Sequence, residues 1–193
     1  HVFSDEPAFL KALQRIPEIL AHHPNAIALI GHVPISPETM LGYCEVGEPF
    51  PGKSDVFWLK RFTEKPDLAT AEKFVAAGAY YWNLGYFSAR PNYLLQEIRR
   101  VSPELAPSLD AYEAALTTGK EKLLTAAYGQ FPGISIEYTL LEKTPRSIVV
   151  TGDFGWSDIG NWATVHELFG QKGDHAAHGH HVHVDSQRNY VYN

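Results

Sequence analysis

The chain of 193 residues has a single cysteine, Cys44. No internal disulfide and no thiolate zinc site can be built from one sulfur. Basic residues are also scarce: 16 Lys and Arg stand against 22 Asp and Glu, a formal charge of -6. That balance gives no basic footprint and argues against a general nucleic-acid binder. No run of about 18 apolar residues is present, so no membrane-spanning helix is expected. The sequence has no Gly-rich phosphate cradle, no Gly-Xaa-Ser-Xaa-Gly elbow and no His-Glu-Xaa-Xaa-His. Covalent-nucleophile chemistry therefore has no specific support. The first residues, His-Val-Phe-Ser-Asp-Glu-Pro, carry neither an initiator Met nor a signal peptide.

What is present is a globular, turn-rich composition: 45% hydrophobic residues, 15 Gly and 13 Pro. Ser4 or Asp5 can cap a first helix, in which Phe9, Leu10, Leu13, Ile16 and Leu20 recur at helical spacing. Pro17 predicts a kink there, or two short helices. Residues 26–30 and 147–150 are short apolar runs of the kind found in strands covered on both faces. Strands are also expected over 41–46, 56–62 and 80–87, with a turn over 47–53. Helices are expected over 69–77, 92–100, 107–116, 120–128, 136–141 and 159–168. Alternation of strand and helix predicts an α/β fold with a mixed sheet. From Gly170 the composition changes. Histidines gather at 175, 178, 180, 181 and 183, which suits a small β appendage of surface residues better than a metal site.

Three polar clusters lie in loops or at strand ends, where binding residues concentrate. Glu64-Lys65-Pro66 can hold a polyol through Glu and a phosphate through Lys, or can be a solvated turn. Asn83, between Trp82 and Leu84-Gly85, can hydrogen-bond a sugar hydroxyl or its own backbone. The segment 152–160 puts Asp153 and Asp158 in a Gly-rich loop after a buried strand. Either carboxylate can hold Mg²⁺ against phosphates, or Asp158 can cap the next helix. Cys44 reads as buried filler or as a reactive thiol.

Five segments in this order resemble the sugar nucleotidyltransferase family, and within it the mannose-1-phosphate guanylyltransferases. They are Pro37-Glu-Thr-Met-Leu-Gly-Tyr-Cys-Glu, Phe62-Thr-Glu-Lys-Pro, Tyr81-Trp-Asn-Leu-Gly-Tyr-Phe, Ser135-Ile-Glu-Tyr-Thr-Leu-Leu-Glu-Lys and Asp153-Phe-Gly-Trp-Ser-Asp-Ile-Gly-Asn-Trp. The resemblance implies a Rossmann-like α/β/α sandwich of the nucleotide-diphospho-sugar transferase type, incomplete at its N-terminus. It implies a catalytic domain over 1–169 and the start of a β appendage over 170–193. Its substrates would be GTP and mannose-1-phosphate, its cofactor Mg²⁺ and its location the cytoplasm. No nucleic acid or membrane partner is implied, and a homo-oligomer is left open.

By the same resemblance Gly42, Glu64, Asn83 and Glu137 meet the sugar, Lys65 meets the phosphate, and Asp158 holds the metal. Lys65 and Asp158 carry the catalytic roles. Met40-Leu41 replaces a Gly-Tyr pair of the family, Leu84 a Ser or Thr, and Glu137 an Asp. These departures bear on sugar choice. A different sugar-nucleotide pair, such as glucose-1-phosphate with dTTP, stays open, as does a regulatory homologue without turnover. The family's Gly-rich nucleotide loop and its Pro-Ala-Asp strand end would precede His1. The 193 residues alone are thus expected to be inactive.

Overall fold

The computed structural model describes residues 1–160, 162–169, 176–178, 182, 184–185 and 190–192. In chain order the elements are β1 (Val2–Phe3), α1 (Glu6–His22), β2 (Ile27–His32), β3 (Tyr43–Pro49), β4 (Val56–Thr63), α2 (Leu68–Ala77) and β5 (Tyr80–Ser88). Then come α3 (Pro91–Val101), α4 (Ala106–Thr118), α5 (Glu121–Tyr128), a π-helical turn (Glu137–Leu141), β6 (Ser147–Gly152), β7 (Trp156–Ser157), α6 (Trp162–Phe169), β8 (Ala176–His178) and β9 (Tyr190–Tyr192). They divide into two compact units, Glu6–Asp153 and a smaller one of His1–Asp5 with Phe154–Asn193.

In the larger unit the expected α/β architecture with a mixed sheet is present. β2 and β6 pair in parallel from Ile27↔Ser147 to His32↔Gly152. Every residue of β2, and all of β6 but its last, is buried. This is the pattern their apolar runs call for. β6 also pairs antiparallel with β4, β4 with β3, β3 with β5, and β5 with β2, so the five strands close into a ring. Closure needs an irregularity. The β2–β5 register shifts between Leu29↔Phe87 and Gly31↔Asn83. Gly85 sits in the extra length of β5 with φ 76°, a backbone state that glycine adopts without steric cost.

Ile27, Leu29 and Val149 form one apolar cluster with Cys44, Leu59, Phe62, Leu140 and Leu141, against which Leu94 and Ile98 of α3 pack. The alternate residues Ala28, Ile30, Ile148 and Val150 are equally buried, and α1 lies against β2 and β6. α1 runs unbroken through Pro17, so the two-helix expectation fails. Pro17 is exposed while Phe9, Ala12, Ile16, Ile19 and Leu20 form the buried stripe. Tertiary burial of that stripe outweighs one lost backbone bond. The turn expected at 47–53 is also displaced. β3 continues through Gly47 to Pro49, paired with Phe57, and the chain reverses at Gly52, whose φ is 72°.

α2 starts where Asp67 accepts from the Thr70 amide at 2.8 Å and ends at left-handed Gly78. α3 starts at Pro91 and buries one acid, Glu97. Glu97 accepts from Arg100 at 2.6 and 2.9 Å and from the Thr144 hydroxyl at 2.5 Å. Nearby, the buried Ser102 hydroxyl donates to the Thr139 carbonyl at 2.5 Å and accepts from Lys143 at 2.9 Å. These bonds tie the π-helical turn to α3.

In the smaller unit β1 pairs antiparallel with β7, Val2↔Ser157 and Phe3↔Trp156. The ladder continues from the Ser4 amide to Gly155 O and from the Asp5 amide to Phe154 O. A short strand therefore sits inside the segment read as a loop. β8 and β9 pair in parallel. Of the clustered histidines only His178, in β8, is among the described residues, and the boundary placed at residue 170 lies outside them.

The Arg100 bonds hold the Glu97 carboxyl below its ordinary 4.5. A depressed folded-state value contributes stability above the unfolded value and loses it as pH falls through the folded one. Glu97→Ala is expected to lower stability by about 2 kcal/mol at pH 7, leaving Thr144 and Arg100 without their acceptor. The deficit should shrink below pH 4.5. Urea unfolding at pH 7 and pH 3 checks both; an equal deficit at the two values would refute the linkage.

Candidate active site

The start of β3, the residue after β4 and the interior of β5 meet at Gly42. The Asn83 amide, on β5, donates to the Gly42 carbonyl at 2.8 Å. A Cβ on Gly42 would stand 2.6 Å from Glu64 Oε2 and 2.8 Å from Phe62 Cζ. The Glu64 carboxylate thus lies directly on the bare Gly42 backbone, and a glycine is required there by space. Ahead of this point the buried Tyr43 hydroxyl donates to the Glu38 carbonyl at 2.9 Å, fixing the loop that leads into β3.

Glu64 is nearly enclosed, its side chain 7% exposed, whereas Lys65 is 47% exposed with Nζ 3.0 Å from Glu64 Oε1. That hydrogen bond is the main cause holding the Lys65 ammonium above its usual pKa. Tyr138 and Glu137, in the π-helical turn, add smaller effects on Lys65 in the same direction. Gly42, Glu64, Lys65, Asn83 and Glu137 are therefore linked in one polar constellation within the larger unit. Asn83 is buried and its Oδ1 accepts from the Gly85 amide at 3.3 Å. Its carbonyl serves the local backbone, as one of the two sequence readings had it, and its NH₂ group is the part suited to a ligand hydroxyl. Leu84, at 2% exposure, is core. Neighbouring strand residues face opposite ways, so the hydroxyl missing at 84 is a packing difference and not a lost partner of Asn83's ligand face.

Cys44 is fully buried next to this site. Burial pushes its thiol strongly up, and the Glu64 charge adds to that. The reactive reading is overturned; a thiolate has no support there.

Asp158 belongs to the smaller unit. Its Oδ1 lies 2.9 Å from His1 Nε2 and its side chain is 47% exposed. The next residue, Ile159, has φ 50°, with its amide on Ser157 Oγ at 3.4 Å. α6 begins only at Trp162, so the helix-cap reading of Asp158 fails. Asp153, in the larger unit, is 78% exposed and 3.9 Å from His32 Nε2. His32 is buried at the end of β2; burial lowers its pKa, opposed by the Asp153 charge.

Sequence reasoning passed over His32 and Glu142. Glu142 Oε1 accepts the backbone N–H of Glu64 at 2.9 Å. The signal for it was present: it lies five residues beyond Glu137, directly after the helix expected over 136–141. Among the described residues no group of three His, Cys, Asp or Glu is placed to hold a metal ion.

The nucleotidyl transferase family pattern matches residues 1–174. The chain belongs to the nucleotidyl transferase family. Within it, the chain is 35% identical over 198 aligned residues to the xanthan biosynthesis protein XanB of Xanthomonas campestris pv. campestris (strain B100), covering 100% of the chain and 40% of that protein. It is 34% identical to a mannose-1-phosphate guanylyltransferase of Escherichia coli (strain K12), covering 100% of the chain and 41% of the relative. The chain thus spans about 40% of the length of these curated relatives. A crystal structure of mannose-1-phosphate geranyltransferase from Thermus thermophilus superposes with a TM-score of 0.76 at 30% identity, over 100% of this chain and 55% of that one. A mannose-6-phosphate isomerase structure from Helicobacter pylori shares the fold, with a TM-score of 0.66 at 21% identity, over 81% of this chain and 60% of that one.

Gly42→Ala must push back either Glu64 or the buried Phe62 ring. Overpacking of this kind costs about 1–3 kcal/mol, and a crystal structure of the variant is expected to show Glu64 displaced; an unmoved Glu64 at unchanged stability would contradict the close contact. Cys44 is expected to resist a thiol-titrating disulfide reagent in the native protein and to react on unfolding in denaturant. Prompt native-state labelling would refute its burial.

Proposed function

We propose that the protein carrying this chain transfers GMP from GTP to mannose-1-phosphate, forming GDP-mannose and releasing pyrophosphate. The observation that supports this most is the constellation around Gly42. A nearly enclosed carboxylate, Glu64, is suited to paired sugar hydroxyls, and a half-exposed ammonium, Lys65, stands beside it for a phosphate. The names of the relatives point the same way, for those proteins, to a mannose-1-phosphate substrate.

In this reading Glu64 and Glu137 accept from sugar hydroxyls, Asn83 donates to one, and the Gly42 backbone lets the ring approach closely. Lys65 bonds the sugar phosphate. A phosphate oxygen of mannose-1-phosphate forms a bond to the α-phosphorus of GTP as the bond to pyrophosphate breaks. The attacking phosphate is already ionised near neutral pH, so no side chain need act as a strong base. Positioning and charge stabilisation carry the rate.

The donor set is compatible with Mg²⁺. Asp158 offers one half-exposed carboxylate, and Mg²⁺ is commonly bound by one or two carboxylates plus substrate phosphates. Asp158 would hold the ion, which when bound supplies charge neutralisation at the phosphates. Asp153 would be structural. No helix among the described residues is long and apolar enough to cross a membrane, and a cytoplasmic location is part of the proposal.

A pyrophosphate-release assay over four nucleoside triphosphates and three sugar phosphates, with Mg²⁺ and the protein in its natural length, tests the reading. GTP with mannose-1-phosphate should be the preferred pair. Asp158→Asn is expected to lower turnover about 100-fold or more, and Asp153→Asn to spare most of it. Preference for another pair would replace the substrate assignment. Release with no pair would leave a sugar-nucleotide binder without turnover, and the reverse ranking of the two aspartates would exchange their roles.

A further inference from the structure

The Glu64–Lys65 corner is held in a backbone state that its own sequence disfavours. Lys65 has φ 44°. Positive φ is uncommon for a residue with a side chain. Lys65 also precedes Pro66, and the residue before a proline is driven toward extended conformations with φ near -120°. Something outside the corner must select this geometry.

The outside group is Glu142. Its Oε1 accepts the Glu64 N–H at 2.9 Å, one peptide before the disfavoured residue. The acceptor is a carboxylate and the donor a backbone amide, a pairing stronger than a neutral hydrogen bond. Glu142 itself is placed by the π register. Its amide donates to the Glu137 carbonyl at 2.9 Å, five residues back. In an α-helix residues five apart point about 140° away from each other. The wider turn brings Glu142 nearer the face of Glu137, and Glu142 reaches the backbone of Glu64. Such turns recur at functional sites.

The turn is rigid where it must be. Leu140 and Leu141 are buried in the apolar cluster. The Thr139 carbonyl accepts from Ser102, and Thr144 is bonded to Glu97. Glu142 thus projects from an element anchored before and after it.

We infer that Glu142 is a positioning residue for the sugar-phosphate site, fixing the Glu64 carboxylate and the Lys65 ammonium through the Glu64 backbone. The inference rests on the constellation around Gly42 being that site.

The test compares Glu142→Ala and Glu142→Gln with the unaltered protein in its natural length. Gln keeps an acceptor oxygen and Ala does not. Hydrogen exchange reads the Glu64 amide directly. Steady-state kinetics with mannose-1-phosphate and GTP read the two substrates separately. For Glu142→Ala, Glu64 exchange and the KM for mannose-1-phosphate should each rise about tenfold, the scale of one charge-assisted hydrogen bond. The KM for GTP and the melting temperature should hold. Glu142→Gln should recover most of both losses.

Unchanged exchange at Glu64 in the Ala variant would overturn the inference. Equal rises in both KM values with a lower melting temperature would also overturn it, because a merely structural role predicts that pattern. Failure of the unaltered protein to turn over any sugar phosphate would sink the proposed function instead. Exchange at Glu64 would still decide whether Glu142 holds the corner.

Discussion

The larger unit depends on the parallel ladder between β2 and β6. The two strands are separated by more than a hundred residues of sequence, yet they pair in register along their whole length, from Ile27↔Ser147 to His32↔Gly152. A parallel pair needs a crossover, and everything from β3 to the π-helical turn is inserted into this one. Because the strands are buried on both faces, no slip of register is tolerated without exposing apolar residues. The ladder therefore fixes where β5 and β4 attach on either side. Through them it fixes the place where Asn83, Glu64 and Gly42 meet. A backbone bond from the Val33 amide to Gly152 O extends the pairing past the strand ends, so the loop toward Gly42 leaves from a defined point.

A glycine is the second constraint. Strand ends usually keep their side chains apart by about a strand spacing, too far for a carboxylate to touch a neighbouring main chain. At Gly42 the missing side chain removes that barrier. Glu64 occupies the space, and its exposure falls to that of a core residue while Lys65, one position later, remains half in solvent. Cys44, two positions on, has its thiol pushed up first by its own burial and further by the neighbouring Glu64.

The secondary structure was largely legible because its signals are local. The runs at 26–30 and 147–150 are too short and too apolar for anything but covered strands, and Pro91 and Gly78 mark helix ends by their own backbone chemistry. The misreadings involve non-local effects. Pro17 is a breaker by propensity, but the stripe from Phe9 to Leu20 buries enough surface to keep one helix. Gly47 and Pro49 look like a turn until β4 supplies a partner strand. β7 could not be read at all, since two residues form a strand only when Val2 and Phe3 lie beside them. In the site, residue types and order were legible and their joining was not. The approach of Glu64 to Gly42 depends on Phe62 and β5, and the role of Glu142 depends on a π register that apolar periodicity does not encode.

In the proposed reading an acidic chain must receive a phosphate through local charge. With a net charge of -6, a long-range field offers an anion no attraction, so any affinity must be local. Lys65 is the local cation, and it is surrounded by acids: Glu64 in direct contact, with Glu137 close enough to raise its pKa. A bare count of charges would have these acids quench it. They do the reverse for its protonation, because each negative neighbour stabilises the ammonium. The contact with Glu64 therefore favours the charged form of the lysine. Geometry completes the argument. An ammonium has three donors, and the contact with Glu64 uses one on the enclosed side while the exposed side is left to solvent. In the proposed reading, a phosphate arriving from that side would gain a charged partner without first breaking the ion pair. Had Glu64 been as exposed as Lys65, the pair would be a mobile surface bridge of small worth. Here the Glu64 partner is enclosed, in the space that Gly42 leaves for its carboxylate, so one end of the pair is held by packing.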